Sequence, residues 1–90
     1  MKKIYPSTQF KKDYKRYRNN PKLIKALGEI VDKLANEQPI PQVNRPHPLK
    51  GEYKGCMECH VGNDVLLIWL NGDIIELVRL GSHSELFKCK

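Results

Sequence analysis

The sequence predicts an α+β domain in which two N-terminal helices pack on one face of a small, mainly antiparallel, twisted β-sheet. Apolar residues recur at helical spacing over roughly the first third of the chain. The second half breaks instead into short apolar runs punctuated by Gly and Asn-Gly. One run, "VLLIWL" at residues 65–70, is apolar at every position and needs cover on both faces. Ninety residues allow one domain, 1–90, with a modest core and no room for a separate regulatory unit.

"KKIYP" is short, ends in proline and precedes a helix start, so residues 2–6 are expected to form an edge strand. Ser7 then serves as N-cap of a first helix. Phe10, Tyr14 and Tyr17 recur at i, i+4 and i+7 and place three aromatics on one face, with Lys11, Lys12, Lys15 and Arg18 around the rest. "NNP" ends that helix, and Asn20 as N-cap with Pro21 at the first helical position opens a second. Its apolar stripe is Leu23, Leu27, Ile30 or Val31, and Leu34. Residues 36–48 hold four of the six prolines and almost no periodicity, which predicts an ordered loop. Then come "LKGEYKG", "CMECHVG", "DVLLIWL" and "IIELVRL", expected to be four strands of an antiparallel meander with "VLLIWL" central. Asn71-Gly72 reads as a two-residue hairpin turn.

Sixteen Lys and Arg against ten Asp and Glu give a net charge of +6, which points to a polyanionic partner, nucleic acid first and an acidic protein second. The basic N-terminus is not followed by an apolar signal segment, and the longest apolar run is far short of the ~20 residues of a membrane helix. A cytoplasmic chain without a membrane partner is expected. An odd count of three cysteines in a reducing compartment argues against a disulfide framework.

Cys56, Cys59 and His60 spell C-x-x-C-H, a spacing shared with haem, redox and zinc sites. If residues 56–61 form a strand, Cys56, Glu58 and His60 lie on one face and Met57, Cys59 and Val61 on the other. The two sulfurs then cannot serve one ligand. No helix follows to stabilise a thiolate, and His83 and Cys89 add no second ligand pair of conventional spacing. No metal or cofactor is expected.

Three histidines remain: His47 in the loop, His60 at a strand end and His83 after the last strand. Strand ends in a meander return to common edges, so His60, Asp64 and His83 have a route to convergence, with His47 entering from the loop. RNA can be cleaved without metal when a base takes the 2′-hydroxyl proton and an acid protonates the leaving 5′-oxygen. Histidine suits both roles because its unperturbed pKa, about 6.5, is near neutrality. Arg79 is the candidate cation for charge building on the phosphoryl oxygens. Phe87 is a candidate for base stacking, with a hydrophobic anchor as the alternative. Lys11, Lys12, Lys15, Arg16 and Arg18, with Lys54 on the sheet side, are candidates for phosphate-backbone contact. Lys22 and Lys25 extend that surface, and a solvated helix face is the plainer reading of it.

"HPLKGEYKGCMECHVGNDVLLIWL" followed by "LVRLGSHSELF" resembles the YafQ branch of the RelE/ParE toxin superfamily, over residues 47–87. The branch pattern is H-P-L-x-G-x-(W/Y)-K-G, a strand ending H-V-x-x-D, an apolar strand, and R-x-G-(T/S)-H-x-x-L-F. The resemblance implies a RelE-like fold and the toxin of a type II toxin-antitoxin pair, a metal-independent endoribonuclease that cuts mRNA at the ribosome and stops translation. It assigns His47, His60, Asp64, His83 and Phe87 to the active site, with Arg79 a phosphate ligand. It further implies a cognate antitoxin, with operator DNA bound only through the toxin-antitoxin complex. Where the branch often carries Trp after the aspartate, this chain has Val65, which bears on cleavage preference. The alternatives are a ParE-like toxin that inhibits gyrase without nuclease chemistry, which lacks the histidine set, and a noncatalytic RNA-binding module.

Overall fold

The structure, a computed structural model, describes residues 1–62 and 64–87. Strand β1 (Ile4–Pro6) leads into helix α1 (Thr8–Tyr17) and helix α2 (Pro21–Ala35). Strands β2 (His47–Pro48), β3 (Met57–His60), β4 (Leu66–Asn71) and β5 (Ile75–Gly81) follow, and a one-turn helix α3 (His83–Leu86) closes the described chain. The five strands form one sheet in the order β1-β5-β4-β3-β2, antiparallel except for the parallel β1–β5 pair.

Both helix starts form where local chemistry places them. The Ser7 hydroxyl accepts from the Phe10 N–H at 3.0 Å, and the Asn20 side chain accepts from the Leu23 N–H at 3.3 Å with Pro21 at N1. Leu23, Leu27, Ile30 and Leu34 are the buried stripe of α2, and Phe10 is buried with Tyr14 and Tyr17 packed beside it. These residues meet Cys59, Leu67, Trp69, Leu77 and Leu80 on the inner face of the sheet. A smaller cluster of Leu66, Ile68 and Leu86, with Tyr53, Val78 and Phe87 against it, covers the outer face. Leu66, Leu67, Ile68 and Trp69 are at most 3% exposed, as a strand central in the order and covered on both sides requires.

The structure departs from the expected meander at four places. "LKGEYKG" is not a strand: Gly51 (φ +69°) and Gly55 (φ +94°) bend it into a 3-10 turn at Gly51–Tyr53, and pairing is confined to His47 and Pro48. The Pro-rich loop before it contains a second 3-10 turn, Gln42–Asn44. The β4–β5 hairpin has a three-residue loop, since Asn71 pairs with Ile75. His83 begins a third helix where only two were expected.

The β4–β5 ladder also shifts register between Ile68, opposite Arg79, and Trp69, opposite Leu77, which leaves Val78 as an extra residue. Leu77 and Leu80 consequently both face the inner core although they are three apart. β1 covers only the first part of β5, so α1 serves the rest of that edge. The Ser7 hydroxyl donates to the Val78 carbonyl at 2.8 Å, and the Asp13 carboxylate accepts from the Leu80 N–H at 3.0 Å.

Candidate active site

The period-two alternation of β3 places its residues as the sequence implies. Cys59 packs in the inner cluster and Cys56 against the outer one, so the two sulfurs lie on opposite faces. Burial, with the neighbouring Glu58 charge adding, pushes the Cys59 thiol up to about 12, which makes it an inert core side chain. Cys89 lies outside the described residues. Among the described residues, no group of three His, Cys, Asp or Glu side chains is arranged to hold a metal ion.

The outer face carries the polar chemistry. His47, Glu58, Ile68 and Arg79 occupy one row across β2, β3, β4 and β5. One row on, His60, Leu66 and Gly81 align across β3, β4 and β5. With strands about 4.8 Å apart, the His60 and Gly81 backbones are roughly 10 Å apart, and His83 follows two residues later. His83 opens α3 and Phe87 caps its end, their rings 5.1 Å apart. Phe87 meets the Tyr53 ring edge-on at 5.8 Å, and the Tyr53 hydroxyl stands 3.5 Å from Arg79 Nη1. His47, His60, His83, Arg79 and Phe87 therefore border one strip of surface. Asp64 sits in the exposed β3–β4 turn and lines a depression of about 340 Å³ with Asn20, Lys22 and Leu23 at the start of α2. The structure groups it with the helix side more than with the histidines.

Arg79 is held rather than free. Its Nε and Nη2 donate to the two Asp13 carboxylate oxygens at 2.8 and 3.3 Å, a bidentate pair in which Asp13 is fully buried. Those hydrogen bonds raise the Arg79 pKa above its ordinary value and fix the guanidinium plane. Nη1 is the nitrogen turned toward Tyr53.

His47 has a defined hydrogen-bonding state. Its Nδ1 lies 2.9 Å from the Arg45 carbonyl oxygen, which only accepts, so Nδ1 carries a hydrogen. Nε2 lies 3.0 Å from Oε1 of Glu58, and one proton must occupy that contact, on nitrogen or on oxygen. Glu58 is 3% exposed, and its Oε2 is buried without a hydrogen-bond partner among the described residues. A side chain of this kind inside a sheet is retained for chemistry more readily than for stability.

Sequence reasoning placed Glu58 on the His60 face without giving it a role, and missed Tyr53, Asp13 and Glu85. Asp13 was visible as an acid at i+3 from Phe10, on the apolar stripe of a helix otherwise rich in bases. On the opposite side of α1, Lys11, Lys12, Lys15 and Arg18 are exposed, and Lys54 is exposed beside Tyr53. Arg16 donates to Glu85 at 2.8 Å.

Known proteins match this arrangement along almost its whole length. The profile of a family described as "Bacterial toxin of type II toxin-antitoxin system, YafQ" covers residues 2–88. The chain belongs to the YafQ toxin family. It is similar to the mRNA interferase toxin YafQ of Escherichia coli K12, 35% identical over 83 residues that span 90% of each chain. Among solved structures, a metal-bound toxin from Helicobacter pylori is 43% identical, with a TM-score of 0.87 over 97% of this chain and 100% of that one. YafQ in the E. coli DinJ-YafQ complex is 34% identical, with a TM-score of 0.85 over 97% and 99%. The expected YafQ resemblance and α+β architecture are both borne out, and this YafQ-family chain is a type II toxin with a third, short helix. No helix among the described residues is long and apolar enough to cross a membrane.

Proposed function

We propose that this toxin is an endoribonuclease that cleaves mRNA by acid–base catalysis on the outer face of its sheet. One observation carries the reading: His47, Glu58 and Arg79 share a row, with His60 one row on and His83 and Phe87 beside it. His83, exposed on α3, is the general acid that protonates the 5′-oxygen. The base comes from the opposite side of the strip, where His60 stands beside the His47–Glu58 pair and its shared proton. Nη1 of Arg79 faces the charge that builds on the phosphoryl oxygens. Phe87 offers a stacking face to a splayed base, and Tyr53 sets its angle. Lys11, Lys12, Lys15, Arg16, Arg18 and Lys54 meet the phosphate backbone. Asp64 stands at the rim, on the α2 side.

Since proton donor, acceptor and cation are all side chains, the 2′-hydroxyl attacks the adjacent phosphate with no metal in the reaction path. The relatives named as mRNA interferase and crystallised as a DinJ-YafQ toxin-antitoxin complex support mRNA as substrate and an antitoxin as partner; the ribosome as the place of cutting and the cytoplasm as compartment belong to the proposal itself. Operator DNA is reached through that antitoxin. A gyrase inhibitor with this fold has no use for the histidine row.

The test is cleavage of a defined mRNA by purified protein, with and without ribosomes and with EDTA present, against His83→Ala. Metal-independent cutting that disappears in the variant supports the mechanism, and the ribosome comparison locates the substrate. Binding without cutting under every condition would move the noncatalytic readings ahead, and cutting lost to EDTA would reject the metal-free path.

A further inference from the structure

The short helix α3 carries both His83 and Phe87, yet four residues are too few for a helix to hold itself. Leu86 packs on Leu66 and Ile68 of the sheet, and the polar hold is Glu85. Its Oε1 accepts from the Ser82 N–H at 3.0 Å and the Tyr17 hydroxyl at 3.0 Å, and its Oε2 accepts from Arg16 at 2.8 Å. The Ser82 hydroxyl in turn accepts from the Glu85 N–H at 3.2 Å, completing a capping box. One carboxylate therefore closes α3 on itself and fastens it to the last turn of α1, 68 residues away in sequence.

Two further observations agree. A Cβ at Gly81 would lie 3.1 Å from Glu85 Oε1 and 3.3 Å from Leu86, so the bare backbone at the end of β5 is what lets α3 fold back this closely. The same α1 face that presents Arg16 and Tyr17 to Glu85 presents Asp13, one turn earlier, to Arg79. α1 is thus the common mount for the cation and for the arm that bears the acid.

We propose that Glu85 is a positioning residue, which locks the His83–Phe87 arm onto Tyr17 and Arg16 so that the imidazole stands at the strip facing Arg79. The proposal rests on the ribonuclease reading for its catalytic consequence, but not for its geometry. The Ser82 N–H and the Tyr17 hydroxyl hold the Glu85 carboxyl below the usual carboxylate range, so the lock is closed at neutral pH. Glu85→Gln keeps an oxygen for the Ser82 N–H and Tyr17 and loses only the exposed ion pair, whereas Glu85→Ala loses all three contacts.

The experiment measures steady-state kcat and KM on a short RNA for wild type, Glu85→Ala, Glu85→Gln and Tyr17→Phe, with the ring signals of His83 followed by NMR. The expected result for Glu85→Ala is a kcat loss on the order of tenfold with KM within about twofold, as for a displaced rather than absent acid. Glu85→Gln restores most of it, and Tyr17→Phe falls between. The His83 ring signals, shaped by Phe87, shift in Glu85→Ala while those of His47 and His60 stay. Wild-type kcat in Glu85→Ala with unmoved His83 signals would overturn the proposal. If Glu85→Ala fails to fold, Tyr17→Phe against Glu85→Gln makes the same comparison. Should wild type cut no RNA, the ribonuclease reading falls alone. The His83 signals then decide whether Glu85 holds the arm, a shift supporting it and no shift overturning it.

Discussion

Replacing Asp13 with Asn is the most informative single perturbation of this fold. The carboxylate is fully buried and accepts from Arg79 Nε, Arg79 Nη2 and the Leu80 N–H. Asn can keep the Leu80 bond and one guanidinium contact, but it removes the carboxylate charge paired with a cation whose side chain is 21% exposed. Breaking a buried pair by removing one partner costs about 3–5 kcal/mol, and partial access of water to Arg79 favours the lower end, about 3 kcal/mol. For a domain of this size each kcal/mol moves Tm by about 4–8 °C, so a drop of roughly 12–24 °C is expected. Urea unfolding with a slope of about 1–1.5 kcal/mol/M gives a midpoint shift of about 2–3 M. Arg79→Met in the Asp13→Asn background removes the stranded cation and should recover at least ~1 kcal/mol as a coupling term. A loss below about 1 kcal/mol in Asp13→Asn, or a double variant whose losses simply add, would refute the claim that this pair holds α1 on β5. Cleavage should fall in Asp13→Asn as well, since nothing then fixes the guanidinium plane.

Three further expectations can be checked independently. Glu58→Gln should leave far-UV CD unchanged and lower RNA cleavage about 100-fold, because an amide cannot take part in the proton exchange with His47; wild-type rates in that variant would remove Glu58 from the chemistry. Cys59 keeps its proton in the fold up to about pH 12 and loses it near pH 8.5 when unfolded, so the unfolded state binds fewer protons in that window and stability falls as pH rises. The loss is about 2 kcal/mol between pH 8.5 and 10, and an equally steep decline in Cys59→Ala would show that the thiol is not its source. If Lys11, Lys12 and Lys15 contact phosphate, changing all three to Gln should flatten the dependence of log K on log salt by about 2 for single-stranded RNA, and an unchanged slope would assign them to solvent.

What the sequence makes legible is local. The Ser7 and Asn20 caps, the Pro21 start, the α2 stripe and the two faces of β3 each depend on residues within a turn or a strand of one another, and all stand as expected. The central position of "VLLIWL" follows from burial alone. The misses are features that distant contacts or short segments decide. The Asp13–Arg79 pair joins residues 66 apart, and the Tyr53 bridge needs a 3-10 turn set by two left-handed glycines. α3 was announced by the capping box Ser82–Glu85, but four residues show no helical period. Its stability comes from α1 and from Leu86 packed on the sheet, which no local pattern records.

The register shift at Val78 connects the fold to the site. Under strict alternation, Leu77 and Leu80 would point to opposite faces, and a continuous inner core would cost one leucine or force Arg79 inward. With Val78 as the extra residue, Val78 and Arg79 both turn outward while the leucines on either side stay in the core. Arg79 then falls in the His47–Glu58 row rather than one step out of it, close enough to the β5 edge for Asp13 to hold it. Bulges recur where a strand must re-aim a side chain. Here the re-aimed side chain is the cation of the proposed reaction. Deleting Val78 leaves Leu77 inward, Arg79 outward opposite Ile68 and Leu80 inward, so a variant that folds should keep the guanidinium in the His47–Glu58 row and retain cleavage, at the cost of the Ser7 contact to the Val78 carbonyl. A folded deletion variant that no longer cuts would refute this reading, because alternation alone would then not suffice to aim the guanidinium.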